Sequence, residues 1–213
     1  MANKTIVIAA AAFVAAAGLG YWGYSAHKKR EGQQSVAQAV TDVSARLREA
    51  LTMEVSPQTV GKLDEHAAVA DRGLQAVKRL DTTLPRALVD AADNYLLTAR
   101  EILKRQSDRH RHRLALADSQ QALRQHMRAD NRSGAWVQEA VKAKERVNRD
   151  YHGYSVAAEV LGKLLESFPA TQKSMARLVA HTQIPDDVIA NATKRIQQDA
   201  QRVASQMGAL SLR

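Results

Sequence analysis

The densest group of side chains that could do chemistry lies between residues 104 and 113, which read KRQSDRHRHR. Arginine and lysine at this density could bind phosphate, as in a nucleic-acid interface. On a helix, however, these cations point in all directions, and no aromatic residue stands among them to stack on a base. We therefore interpret the stretch as the solvated middle of a helix, with acidic lipid headgroups or an acidic partner helix as the alternative and nucleic acid as an unfavoured one.

The histidines do not have the spacing of a metal site. His110 and His112 are two residues apart, about 200° around a helix, whereas a helical pair of zinc ligands is separated by four residues. The chain has no cysteine, which excludes a disulfide framework, a thiolate nucleophile and cysteine-ligated metal. We expect no metal and no cofactor, although the histidines could make stability respond to mild acid.

Catalytic motifs are absent from the sequence. The paired carboxylates Asp64-Glu65 and Asp186-Asp187 have no apolar surroundings that would desolvate one of them for acid–base catalysis. No serine nucleophile elbow, phosphate-binding loop or dinucleotide fingerprint occurs. We predict that the protein is not an enzyme.

Two tyrosines, Tyr151 and Tyr154, flank His152-Gly153 on a predicted helix. Core packing with hydroxyls that reach a partner is the simplest interpretation. The alternative is the polar rim of a pocket between helices, formed with Tyr95, where Gly153 permits close approach. Trp136, just after a loop, is expected to hold a helix end. The candidate partner-binding residues are therefore Lys104, Arg105, Arg109, Arg111, Arg113, Tyr151 and Tyr154.

The segment Ile6–Ala26 has twenty-one residues without a charge. A bilayer core about 30 Å thick requires roughly 20 apolar residues in a helix, so this segment is long enough to span it. Aromatic and basic residues follow in the order typical of a membrane interface: Tyr21, Trp22, Tyr24, Lys28, Lys29 and Arg30. A cleaved signal peptide, with Ala15–Ala17 or Gly18–Gly20 as cleavage sites, is the alternative, as is a buried soluble helix.

The side of the membrane on which the C-terminal domain lies is predicted from only a few charges. Only Lys4 and the terminal amine precede the span, whereas three Lys or Arg residues and His27 follow it. The excess of one or two charges favours a cytoplasmic C-terminal domain over a periplasmic one. We expect a single-pass protein of the bacterial inner membrane that contacts lipid through residues 6–26.

The remaining 183 residues, 31–213, are predicted to form one helical domain behind the anchor, residues 1–30. They hold 27 of the 31 Lys and Arg residues and all 22 acidic residues, and this modest positive excess does not require a polyanionic partner. Aromatic residues at 4% and only four prolines favour helix over sheet.

Apolar stripes and helix-start signals divide the domain. Helices are predicted from about Gln33 to Met53, from Pro57 after a Ser56 cap, and from about Arg86 after a Thr83 cap, with Gly32 as a flex point before the first. The third helix is expected to continue through its polar middle, with two helices that meet near Ser107-Asp108 as the alternative. A fourth runs from about Ala135 to Phe168, where Pro169 ends it; a short helix follows, and the last begins at Pro185.

Short loops between long helices predict antiparallel packing. The fold expected is all-α: a single transmembrane helix followed by an up-and-down bundle, elongated by its two long central helices, with a parallel dimeric coiled coil as the alternative. Its expected function is a structural or protein-interaction module that binds a protein partner or a second copy. A periplasmic bundle that senses a small molecule is the alternative.

Overall fold

The described residues of the chain form five helices and no strand. The structure is a computed structural model that describes the backbone of residues 2–80, 84–129, 133–177, 179 and 184–211, with side chains from residue 27 to residue 209 of those ranges. The helices are α1 (Ala2–Thr52), α2 (Pro57–Leu80), α3 (Arg86–Arg128), α4 (Gly134–Ala176) and α5 (Asp186–Ser211). The predicted all-α class is confirmed.

Helix α1 is a single helix of 51 residues. The prediction of a flex point at Gly32 is wrong, because Gly32 is buried and a Cβ atom there would lie 3.0 Å from the Leu84 side chain. This glycine permits close packing within an uninterrupted helix. No helix in the part of the chain with described side chains is long and apolar enough to cross a bilayer. The predicted span, residues 6–26, lies outside that part.

Two helices begin with a serine cap: the predicted one at Ser56, and one at Ser133 that was not predicted. The Thr59 amide donates a hydrogen bond to Ser56 Oγ (3.2 Å) at the start of α2, and the Trp136 amide donates one to Ser133 Oγ (3.3 Å) at the start of α4. Each bond satisfies an amide that has no partner within its helix. Pro85 occupies the N-cap position of α3; the predicted cap, Thr83, lies outside the described residues.

Helix α4 shows where the sequence interpretation was wrong. Pro169 does not end the helix, which continues to Ala176 and takes in only the first part of the predicted short helix, up to and including Met175. An interior proline removes one hydrogen bond and costs about 3 kcal/mol or more. Phe168 and Met175, on either side of it, are fully buried, and this packing keeps the backbone helical across the proline.

Each helix runs antiparallel to the next, so the fold is an up-and-down bundle. The side-chain contacts that fix these directions are Glu49–His66, Asp64–Ser107, Asp71–Arg100, Tyr95–Phe168, His126–Trp136, Tyr154–Asp199 and Gln172–Ile184. The apolar stripes pack on one another within one chain, which agrees with a bundle instead of a dimeric coiled coil.

The bundle is elongated because α3 and α4 have 43 residues each, about 65 Å. Helices α1 and α2 pack on the first half of α3, where Tyr95 is fully buried against Phe168 with ring centroids 5.5 Å apart. Helix α5 runs along α4 from its start, where Ile184 is hydrogen-bonded to Gln172, and reaches further along α3 than α1 and α2 do, with Met207 beside Gln120. Beyond that level α3 and α4 form a two-helix tip.

Candidate functional site

A polar cluster lies in the middle of α3, at the height where all five helices meet. We call it the polar junction. It consists of Gln106, Arg109, His110 and Arg113 of α3 with Thr59 of α2, Tyr154 of α4, and Arg195 and Asp199 of α5. The interpretation of this stretch as solvated is therefore wrong for its inner residues, since Gln106, Arg109 and His110 are 3%, 6% and 0% exposed.

Asp199 is the centre of one half of the junction. Its Oδ2 accepts a hydrogen bond from the Tyr154 hydroxyl (2.7 Å) and one from Arg109 Nη1 (3.4 Å), and its Oδ1 lies 3.7 Å from Arg113 Nε. A buried guanidinium requires such a partner, because an unpaired charge in an apolar interior is strongly unfavourable. Asp199 thereby joins α3, α4 and α5.

His110 is the centre of the other half. Its Nε2 accepts hydrogen bonds from Arg109 Nη2 (3.1 Å) and Gln106 Nε2 (3.2 Å), which leaves Nδ1 to donate to Thr59 Oγ1 (3.1 Å) at the start of α2. This set of partners fits a neutral imidazole. The junction therefore ties α2 to α3 through an uncharged histidine.

The C-terminal end of α1 is bound to the same cluster. Arg195 Nη2 donates to the Leu51 carbonyl (2.6 Å), and Gln106 Nε2 lies 3.5 Å from the Ala50 carbonyl. The last carbonyls of a helix have no partner within it and carry partial negative charge, so a guanidinium there is favourable. In this way the helix that carries the predicted anchor is fixed to α3 and α5.

Burial shifts the acid–base behaviour of the junction. Desolvation, reinforced by the charge of Arg109, lowers the pKa of His110 to about 4. Desolvation also lowers the pKa of Arg109, although Tyr154 and Asp199 oppose this change. Burial, followed by the hydrogen bond to Asp199, raises the pKa of Tyr154. In all three groups, desolvation by burial is the largest cause of the pKa shift.

Outside the junction, the remaining candidate residues of α3 lie on its outer side. Arg105 pairs with Glu101 and Asp108, Arg111 pairs with Asp64 and Asp108, and Lys104 is half-buried. These pairs are exposed and contribute little to stability. The basic stretch thus has an inner set of buried residues that join several helices and an outer set of half-buried or exposed residues, of which Arg111 also contacts α2.

The aromatic candidates are not gathered around one pocket. Tyr95 fills the core and shares a hydrogen bond with Ser44 (2.7 Å), while burial raises its pKa to about 12. Tyr151 is half-buried against the core, and the Tyr154 hydroxyl binds Asp199 instead of reaching a partner. Gly153 does permit a close approach, but to the ring of His112, which would lie 2.6 Å from a Cβ atom.

Trp136 closes the two-helix tip. Its ring stacks on His126 with centroids 5.0 Å apart, its Nε1 donates to the His126 carbonyl (3.2 Å), and His126 Nε2 lies 2.9 Å from the Trp136 carbonyl. Of the membrane-interface candidates, Lys28, Lys29 and Arg30 are exposed. Tyr21, Trp22 and Tyr24 lie outside the described side chains.

Three residues that sequence reasoning did not select, Asp199, Arg195 and Thr59, complete the junction. Asp199 stands on the apolar stripe of α5, three residues after Ile196 and four before Val203, so its position predicts burial. A carboxylate on a core stripe, together with arginines on the stripe of α3, was the available signal.

Comparison of the chain with protein-family models, curated proteins and solved structures found no match.

Proposed function

We propose that this chain is a membrane-anchored, non-catalytic helical module of the bacterial envelope that binds a protein partner. The observation that carries the proposal is the continuity of α1. The helix that contains the apolar segment 6–26 also supplies core residues Val36, Val40, Val43 and Leu47, all at most 1% exposed. A helix shared between a membrane span and a core gives a rigid connection.

The helix directions support a role in holding a partner away from the bilayer. Ser44 of α1 is level with Tyr95 of α3, and the two helices run in the same direction. At 1.5 Å per residue, the far end of α3 lies about 75 Å from His27 along the bundle axis. With residues 6–26 in the bilayer, the bundle extends outward over that length.

The chemistry of the junction supports a structural role for its charged groups. Tyr154 and Arg109 donate hydrogen bonds to the Asp199 carboxylate, Arg113 forms an ion pair with it, and burial keeps His110 neutral. A catalytic group must instead meet a substrate. We therefore assign the junction to holding the five helices together.

The test of anchoring compares the full chain with a variant that lacks residues 2–26. We expect the full chain to remain in the membrane fraction after a high-salt wash and the shortened variant to be released, because hydrophobic insertion resists salt and electrostatic adsorption does not. A full chain released by salt would contradict the proposal.

Crosslinking in native membranes before detergent extraction tests whether the chain binds a protein partner. A chain that retains no crosslinked partner would leave the interaction role unsupported.

Topology decides which partners are available. A reporter fused after Arg213 distinguishes the two sides: an active alkaline phosphatase places the bundle in the periplasm, and a fluorescent cytoplasmic reporter places it in the cytoplasm. The charges that flank the segment favour the cytoplasmic outcome.

The second candidate function is a small-molecule sensor, and a cavity beside the junction favours it. This cavity of about 320 Å³ is lined in part by Gln106, Arg109, Arg202 and Asp199. Within the described residues, Gln106 Oε1 and Arg109 Nε are buried without a hydrogen-bond partner, which is unusual in a folded protein. A panel of small organic acids and amino acids, screened by thermal shift, tests the candidate. A shift that Arg202→Gln abolishes would favour it, and no shift would remove it.

A further inference from the structure

We infer that the groove between the second half of α3 and the end of α5 is a docking surface for an acidic helix of a partner protein. The groove has a volume of about 460 Å³ and is lined chiefly by arginine and glutamine. The inference rests on the proposed interaction function and names the chemistry of the partner.

The arginines of the groove form a row along α3. Arg113, Arg124 and Arg128 are separated by 11 and 4 residues, close to whole numbers of helical turns, so they share one face over about 22 Å. That length corresponds to about four turns of a partner helix. Glutamates spaced by 4 and 11 residues on such a helix would match the row.

Among the described residues, two of the three arginines in the row, Arg124 and Arg128, form no ion pair. None of the described residues that line the groove is a carboxylate, and both Arg124 and Arg128 are exposed. The third, Arg113, lies 3.7 Å from the Asp199 carboxylate. Guanidinium groups bind carboxylates through two parallel hydrogen bonds, so exposed arginines in a row suit acidic side chains.

The other residues of the groove favour a polypeptide. Gln121, Gln125 and Gln206 offer both donors and acceptors, which suits the mixed polar surface of a helix. None of the described lining residues is aromatic, so the groove lacks the stacking surface that single-stranded nucleic acid would need. The proposed membrane surface is also remote from the groove, because Arg113 lies about 50 Å from His27 along the bundle axis.

The experiment uses the full chain in a lipid nanodisc and a fluorescent helical peptide of about 20 alanine-rich residues with glutamates on one face. We expect saturable binding that weakens about tenfold or more between about 50 and about 300 mM salt. A peptide of the same composition with glutamates distributed around the helix should bind about tenfold more weakly, because its carboxylates cannot all meet the row.

Charge reversal in the groove is compared with charge reversal elsewhere. Arg124→Glu/Arg128→Glu should weaken binding of the one-sided peptide about tenfold or more, whereas Lys144→Glu/Lys194→Glu, the same charge change at exposed positions outside the groove, should not. Circular dichroism melting checks that both variants fold, and Arg124→Gln/Arg128→Gln replaces the reversal if it does not.

Three results would overturn the inference: equal binding of the two peptides, an unchanged affinity of the groove variant, or tighter binding of phosphatidylglycerol vesicles or oligothymidine than of the one-sided peptide. These results are distinct from failure of the proposed function. If the groove variant still retains its crosslinked partner in native membranes, the interaction module stands and only the docking site is wrong.

Discussion

Removal of Asp199 should destabilise the bundle more than removal of the arginine it neutralises. Asp199→Ala leaves the Arg109 guanidinium, whose side chain is 7% exposed, without a counter-charge, and leaves the Tyr154 hydroxyl without its acceptor. Loss of one partner from a buried pair costs about 3–5 kcal/mol. For a domain of this size, that free energy lowers the melting temperature by roughly 10 °C.

Arg109→Met gives the contrasting case. The buried charge is then absent, while Asp199, 22% exposed, keeps the Tyr154 hydroxyl and Arg113 as neighbours. We expect a loss of about 1 kcal/mol. The double variant Arg109→Met/Asp199→Ala should consequently be about 2 kcal/mol more stable than Asp199→Ala alone, because it leaves no unpaired charge.

Urea unfolding followed by circular dichroism measures these differences in the free energy of unfolding. The matched control is Asp90→Ala, which removes an aspartate that is 69% exposed and paired with Arg86, and which should cost at most about 0.5 kcal/mol. If Asp199→Ala costs no more than this control, or if the double variant is less stable than Asp199→Ala, the buried charge of Arg109 is not the reason that Asp199 is needed.

Three further predictions concern particular side chains. The pKa of His110 falls from about 6.5 in the unfolded chain to about 4 in the fold, so the contribution of this residue to the free energy of unfolding is full above pH 6.5 and is lost as the pH falls towards 4. We expect the free energy of unfolding to be about 1 kcal/mol lower at pH 5.5 than at pH 7.5. In urea titrations, His110→Gln should reduce this difference. Gly153→Ala should destabilise by about 1 kcal/mol because its Cβ meets the ring of His112, whereas Gly162→Ala, with open space around it, should stabilise by about 0.5–1 kcal/mol; equal melting temperatures for the two variants would contradict this packing. Gln172→Ala should lower the free energy of unfolding by about 2–3 kcal/mol, because Gln172 donates to the carbonyl and accepts from the amide of Ile184, a buried residue of the α4–α5 connection. A loss below about 0.5 kcal/mol in the same titrations would show that these bonds do not hold the helix ends.

The helices themselves were predictable because their signals are local. Ser56 before Pro57 and Ser133 after a polar loop provide cap hydrogen bonds that depend on only three or four residues. Pro169 was misread for the opposite reason. Its local effect is to break a helix, and only the burial of Phe168 and Met175 against other helices keeps α4 continuous.

The polar junction was harder to predict because the partners come from separate helices. Arg109 and His110 within a basic stretch resemble an exposed surface when α3 is considered alone. Their burial depends on Asp199, about 90 residues later, and on Tyr154 between them in sequence. A charged residue on the apolar stripe of one helix is unfavourable; charged residues of opposite sign on the stripes of two helices can satisfy each other, and this pairing is the pattern to search for.

The junction lies between the C-terminal end of α1 and the proposed docking groove. Arg195 holds the last turn of α1 through the Leu51 carbonyl, and Asp199, one turn further along α5, holds Arg113 at the lower end of the groove. An acidic partner that binds Arg113 would compete with Asp199 for the same guanidinium. Asp199 would still neutralise Arg109, so the partner would gain a cation without leaving the buried charge unpaired. Of the three arginines in the row, Arg113 is therefore the one through which a bound partner would change a contact inside the bundle, the ion pair with Asp199.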